Sequence, residues 1–305
     1  MTAAALVAPA AAAEPVVLKH KFAKGDQLVY RKAETEKQHQ KIFDMKLDTT
    51  TTREVVNSLV VDEVDSAGSA LLKSKAVRRL MKSEGPTGKF EFDSKSTERD
   101  TSSETGAAVT PVLERLTGSE YQLKVTASGA VVEVRGFAEM IADLVKASPF
   151  GVLQAGFMSD NEGAAYSEQE QFVVLSDKAV APGDTWEVPF DVELKGLGKI
   201  KGTLKYTYEA DDKVGDRKTV RIGEVMDYSL EMKLDAPGAR VSGTVSSTNS
   251  TGTVQFDPVA GRVVSSKRTS TASGQLTVEA GGMTFMLDDE EEHTATVELL
   301  DKLPE

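Results

Sequence analysis

The residues whose types and spacing bear on chemistry are few. They are three histidines (His20, His39, His293), five consecutive carboxylates from Asp288 to Glu292, and three lysines alternating at Lys199, Lys201 and Lys205. The histidines fall in no His-Glu-x-x-His or similar metal-ligand spacing, and their charged or polar neighbours predict exposed surface. Hard cations take carboxylate oxygens, yet consecutive carboxylates diverge, and the alternating Asp-x-Asp-x-Asp-Gly loop is missing. The acidic run is therefore expected to be a solvated turn between Leu287 and Thr294 that discourages edge pairing. The lysines read as one wet strand face balanced by neighbouring acids. There is no Gly-x-Ser-x-Gly elbow and no Gly-x-Gly-x-x-Gly ahead of a helix. With no Cys, disulfides, thiolate metal sites and cysteine nucleophiles are excluded. No metal and no cofactor is expected.

The elements that must position any site are mostly strands. Ile200, Gly202, Leu204, Tyr206 and Tyr208 alternate with Lys199, Lys201, Thr203, Lys205 and Thr207. Period-2 patterns recur at 43–47, 121–125, 228–234, 276–278, 283–287 and 295–299. Such strands bury one face and wet the other, as antiparallel sheets do. Turn residues separate them at 127–129, 236–238 and 257–261. Trp186, at a strand start after Gly183-Asp184, is expected to anchor the core.

Three helices are predicted in the first half. Thr110-Pro111 reads as an N-cap and first helical position leading to Leu116. Phe137, Met140, Ile141, Leu144 and Val145 fall at helical spacing. Ser148-Pro149 opens a third, unusually apolar helix carrying Phe150, Leu153 and Phe157. A polar loop is expected over 93–109. Lys24-Gly25-Asp26-Gln27-Leu28 resembles Pro182-Gly183-Asp184-Thr185-Trp186, and each precedes several strands, so two related β-rich halves are expected, 14–165 and 166–305.

These motifs carry a resemblance. Lys178 to Trp186, Phe22-x-x-Gly25-Asp26, and the stretch Leu113 to Gly136 resemble an exported bacterial family defined only as a domain of unknown function. The resemblance implies a mainly β, secreted or periplasmic protein and brings no catalytic residues with it. Long strands with a few apolar helices are also similar, at fold level, to periplasmic lipid and lipoprotein carriers. Export is expected independently. Residues 3–13 form a short Ala-rich apolar stretch ending in Ala11-x-Ala13, the remnant of a signal peptide cleaved after Ala13.

Composition sets the partners. Of 305 residues, 48 are acidic and 36 basic, a net charge of −12, which disfavours nucleic acid. No apolar run reaches the length of a membrane-spanning helix. The expected architecture is α+β, mainly β: long, curved antiparallel meanders in two related halves, with about three short helices against the concave face. The expected role is non-catalytic, with a lipid or other apolar ligand, or an envelope protein, as partner. The candidate pocket residues are Phe137, Met140, Ile141, Leu144, Phe150, Leu153 and Phe157. Flexible Met and aliphatic groups between helix and sheet suit an acyl chain, and the same residues could equally plug the sheet as core. A structural or interaction module is the second expectation. A carboxylate-based hydrolase is the third.

Overall fold

The computed structural model describes residues 14–86, 88–101, 103–137, 139–140, 161–194, 196–236 and 238–304. Its strands are β1 (Gln27–Ile42), β2 (Met45–Val64), β3 (Ala70–Gly85), β4 (Gly88–Asp93), β5 (Glu120–Val125), β6 (Val131–Arg135), β7 (Thr185–Leu194), β8 (Gly198–Val214), β9 (Arg217–Ala236), β10 (Ala239–Asp257), β11 (Arg262–Ala280) and β12 (Met283–Leu300). They form one 12-stranded antiparallel sheet in the order β6-β5-β3-β2-β1-β12-β11-β10-β9-β8-β7, with β4 on β3. The mainly β expectation holds. The first and last long strands, β1 and β12, pair at the centre, so β2 to β6 extend to one side and β11 to β7 to the other.

Strands of up to 20 residues, at roughly 3.3 Å per residue, are long enough that their right-handed twist curls the sheet. Two helices lie wholly among the described residues: α1 (Glu104–Leu116) and α2 (Asn161–Glu168), the latter running into a 3₁₀ turn, Gln169–Gln171; Phe137, Glu139 and Met140 are also helical. No helix there is long and apolar enough to cross a membrane. α2 packs on both edge strands, β6 and β7, and so spans the gap that the curled sheet leaves open.

α1 starts earlier than its Thr110-Pro111 signal predicts. Ser103 is the N-cap, its Oγ accepting from the Gly106 N–H at 2.9 Å. The Thr110 hydroxyl instead donates to the Asp100 carbonyl at 2.8 Å, and Pro111 lies inside the helix. The polar loop that follows β4 at Asp93 correspondingly stops short of the predicted end, at the Ser103 N-cap. The predicted helix opening at Ser148, and Ile141 to Val145 of the one before it, lie outside the described residues.

The acidic run is not a turn. The β11–β12 reversal falls earlier, at Gly281-Gly282, both at positive φ (58° and 78°), with Ala280 paired to Met283. From there β12 continues to Leu300, flanked by β1 and β11 throughout the run. Alternation sends Asp288, Glu290 and Glu292 outward and turns Asp289 and Glu291 inward. Asp289 is buried and accepts from Gln38 and Gln40, each at 3.0 Å.

Residues 14–22 close one end of the sheet. The Val16–Val180 bridge and bonds from the His20 N–H to the Ala127 carbonyl (2.8 Å) and the Lys21 N–H to the Gly261 carbonyl (3.0 Å) fasten this segment across two hairpin turns. His20 is therefore buried, contrary to the exposed position its neighbours predict. Its ring contacts Phe22, Phe172 and Phe256, and Nε2 lies 2.9 Å from the Val173 carbonyl. Burial pulls its pKa down to about 4, so it is neutral at physiological pH. His39, by contrast, is exposed beside Asp48 at 2.8 Å. Lys199 and Lys201 meet Asp191 and Glu231 on the wet face, as their alternation predicts.

Gly129 is where this closure is tightest. Its φ is +92°, and a Cβ there would lie 2.2 Å from the Val173 carbonyl and 2.5 Å from His20 Nε2. Gly129→Ala should cost at least about 2 kcal/mol in urea unfolding, combining left-handed strain and a backbone clash. Gly215→Ala shares only the positive φ, with nothing near its Cβ, and should cost about 1 kcal/mol. Equal losses would contradict a packing role for the 14–22 closure.

Candidate functional site

The inward faces of the strands do not fill the concave side. Between the sheet, α1, α2 and the 3₁₀ turn lies a cavity of about 710 Å³. Its wall is apolar where Leu113 and Leu116 of α1, Met81, Phe137 and Met140 line it. Phe137 is buried with its ring edge-on to Tyr121, centroids 4.9 Å apart. The structure thus brings two of the candidate pocket residues, Phe137 and Met140, to one cavity. Ile141, Leu144, Phe150, Leu153 and Phe157 lie outside the described residues.

A belt of charge crosses the same wall. Register aligns Tyr206, Glu224, Gly252, Arg268, Ala295, Glu34, Arg53 and Met81 as successive cross-strand neighbours. Arg268 Nε donates to Glu224 at 2.5 Å, reaching across β10. Gly252 lies between them and presents no side chain in the way; a Cβ there would come within 3.3 Å of the Glu224 carboxylate. Arg53 donates to Glu36 at 2.7 Å. Lys32, next along β1, pairs with Glu34 at 2.7 Å.

The 3₁₀ turn completes the belt from the opposite side. Glu170 pairs with Lys32 and lies 3.8 Å from Arg268. Burial alone would push its carboxyl up, but these two cations prevail and hold it at about 2. They leave Lys32 and Arg268 more firmly protonated in turn. Glu168 is different. Burial raises its pKa, and its oxygens accept from the Tyr121 hydroxyl at 2.7 Å and Gln171 Nε2 at 2.6 Å. Glu291 is pushed up to about 7 by burial and by the neighbouring Glu36 and Asp289, with Arg53 opposing. His293, two residues on, lines the cavity and is half-buried, where its neighbours predict an exposed position. Burial also lowers the pKa of Arg79, against Tyr121, Glu168 and Glu34.

None of this belt is named by a motif. Its one signal is that β1 is polar on both faces from Arg31 to Gln40, where a simple half-buried strand would alternate. Trp186 stacks on Tyr206, a wall residue, with centroids 5.4 Å apart, and its indole N–H donates to the Val174 carbonyl at 2.8 Å. Among the described residues, no group of three or more His, Asp and Glu side chains could hold a metal ion.

Comparison with known proteins adds the family. The model of DUF6263, a family of unknown function, matches residues 67–263. The chain belongs to that family. The matched segment runs from the β2–β3 turn into β11 and includes Arg79, Glu170, Glu224 and Gly252. No curated protein matches the chain. Among solved structures, lipovitellin, described for its lipid-protein interactions, is similar over 92% of this chain at 9% identity and a TM-score of 0.46. The chain spans only 25% of that protein. An outer membrane channel from Pseudomonas putida F1 aligns with 92% of this chain and 97% of its own at 7% identity and a TM-score of 0.24. Neither likeness bears on function.

Two titrations follow from the belt. Glu170 has its folded pKa depressed, so its contribution to stability is present above the ordinary value of 4.5 and is lost as pH falls towards about 2. Glu170→Gln should abolish that acid-limb dependence and destabilise by about 2 kcal/mol, Lys32 and Arg268 keeping Glu34 and Glu224 as partners and so tempering the full cost of the lost carboxylate. Glu291 has the opposite sign. Its folded pKa is raised, so it favours the fold below 4.5, and that support fades as pH climbs through about 7. Glu291→Gln should flatten the fall in melting temperature over this window; an unchanged slope would show that Glu291 ionises normally.

Proposed function

We propose that the protein is a non-catalytic, exported envelope protein that holds an acyl-chain ligand inside its curved sheet. The observation that carries this reading is the cavity of about 710 Å³, walled by Leu113, Leu116, Met81, Phe137 and Met140 on one side and by a neutralised charge belt on the other. Its size lies within the range of roughly 300–1,000 Å³ typical of small-molecule sites, and an apolar wall with a few placed polar groups is their usual make-up. Methionines let such a wall adapt to a flexible chain. Export is supported by the Ala-rich segment 3–13 ending in Ala11-x-Ala13.

A second reading, an interaction module of the envelope, draws on a different feature. The β1–β2 turn exposes Phe43 at 73% and Met45 at 60%, and the neighbouring β11–β12 turn exposes Met283 at 68%. Phe43 takes a left-handed φ of 54°, an uncommon conformation for a bulky residue, with its ring 6.1 Å from that of Phe285. Such an apolar tip suits a partner surface.

Titration with N-phenylnaphthylamine, a dye that fluoresces in apolar surroundings, separates the two. The ligand reading expects saturable binding that Ser266→Phe blocks, since Ser266 lines the cavity between Val254 and Val297. Phe43→Ser should leave it unchanged. Binding lost with Phe43→Ser and kept with Ser266→Phe would move the site to the tip.

A further inference from the structure

Arg79 stands apart from the other half-buried cations of the cavity. Lys32, Arg53 and Arg268 each meet a carboxylate. Among the described residues, none forms an ion pair with the Arg79 guanidinium, and its Nε is sealed from water with no hydrogen-bond partner. The neighbouring Arg78 also leaves Nε unpaired, but Asp93 meets its guanidinium at 3.1 Å. A buried cation left without a counter-ion is costly, and such a group marks a place where an anion is expected.

The fold goes out of its way to put Arg79 there. Across β2 and β3, Val56 pairs with Arg78 while Asn57 pairs with Ala76, so Val77 is an extra residue, a β-bulge. Before the bulge Leu72, Ser74 and Ala76 face inward; after it the parity changes and Arg79 and Met81 line the cavity. The Arg79 backbone is pinned on its far side by Ser94, whose Oγ accepts from the Arg79 N–H at 3.0 Å and whose N–H donates to the Arg79 carbonyl at 2.9 Å.

A guanidinium bordered by an apolar wall has the layout of a head-and-tail site. Its planar fork matches a carboxylate or a phosphate bidentately. Glu34 and Glu168 act on Arg79 through space and add negative potential around it, which favours a singly charged head over a doubly charged one.

We propose that Arg79 is the head-group site of this cavity and that the ligand is a long-chain carboxylic acid, its carboxylate held by the Arg79 guanidinium and its chain laid along Leu113, Leu116, Phe137 and Met140. This rests on the cavity reading above and adds the chemical class of the ligand.

The test is displacement of N-phenylnaphthylamine by palmitate, hexadecanol and hexadecyl phosphate at about pH 8, where the phosphate is doubly charged. Palmitate should displace the dye at least about tenfold more tightly than hexadecanol, as befits a charge-assisted hydrogen bond, and more tightly than hexadecyl phosphate. Arg79→Met should remove the preference for the acid while hexadecanol still binds. Arg79→Gln, polar and able to fill the site, provides the same comparison if the Met variant does not fold. Equal displacement by acid and alcohol, a tighter phosphate, or an acid preference that survives both variants would overturn the assignment and leave the cavity reading standing. Failure of the dye and all three amphiphiles to bind the wild type would instead overturn the cavity reading, and this proposal with it.

Discussion

The carboxylate of Glu170 holds the molecule's two sides together. It belongs to the 3₁₀ turn after α2, the segment that fills the gap between the edge strands, and it pairs with Lys32 on β1 while facing Arg268 on β11. Those two strands are not neighbours. β12 lies between them, so Glu170 sits over a central stretch where Ala295 and Val297 form the wall. Gln169 ties the same turn to the first edge: its Nε2 donates to the Gly129 carbonyl at 2.9 Å, and its Oε1 accepts from the Val131 N–H at 2.9 Å. One short turn therefore fixes the curvature of the sheet, the position of α2 and the height of the cavity.

That arrangement explains why the concave side is hollow. An apolar inner face would collapse onto the helices, since closer packing is favourable. Here many inward residues at the centre are charged; Lys32, Arg53 and Arg268 each meet a carboxylate on their own strand, on another strand or on the 3₁₀ turn, and Gly252 and Ala295 leave the lanes along which the long side chains lie. A satisfied ionic belt resists further collapse because its groups are already paired and lose hydration if compressed. The apolar clusters lie to either side, one including Leu59, Leu72, Leu123 and Phe172, another Tyr206, Ile222 and Phe256. The cavity is the space between.

Much of the sheet was legible in the residues. Alternation through 199–208 and 228–234 marked β8 and β9, and the turns at 127–129 and 257–261 fall where Gly and Asp predicted them. The Gly25-Asp26 and Gly183-Asp184 turns even share their hydrogen bond, the Asp N–H to the carbonyl three residues back. The charge belt was not legible as a site because its members are spread over strands, β1, β2, β9, β11 and β12, whose register no local pattern reveals. Asp288 to Glu292 was misread for a related reason. Five carboxylates in a row favour a solvated turn, yet Lys37, Gln38, Gln40 and Gln275 on the flanking strands bind Asp288, Asp289 and Glu292 and keep the segment extended. His20 was misread because its sequence neighbours are charged, while its spatial neighbours are three phenylalanines. α2 gave no signal: Asn161 to Glu168 contains a Gly, two small alanines and little amphipathic contrast.

The central claim is that the space behind the belt is occupied in the cell. Native mass spectrometry of the protein purified from the cells that make it, with organic extraction of whatever accompanies it, tests this most directly. The account predicts a reproducible lipid-sized mass increment that is lost in Ser266→Phe. A bare mass from wild-type protein gently purified from those cells would contradict it.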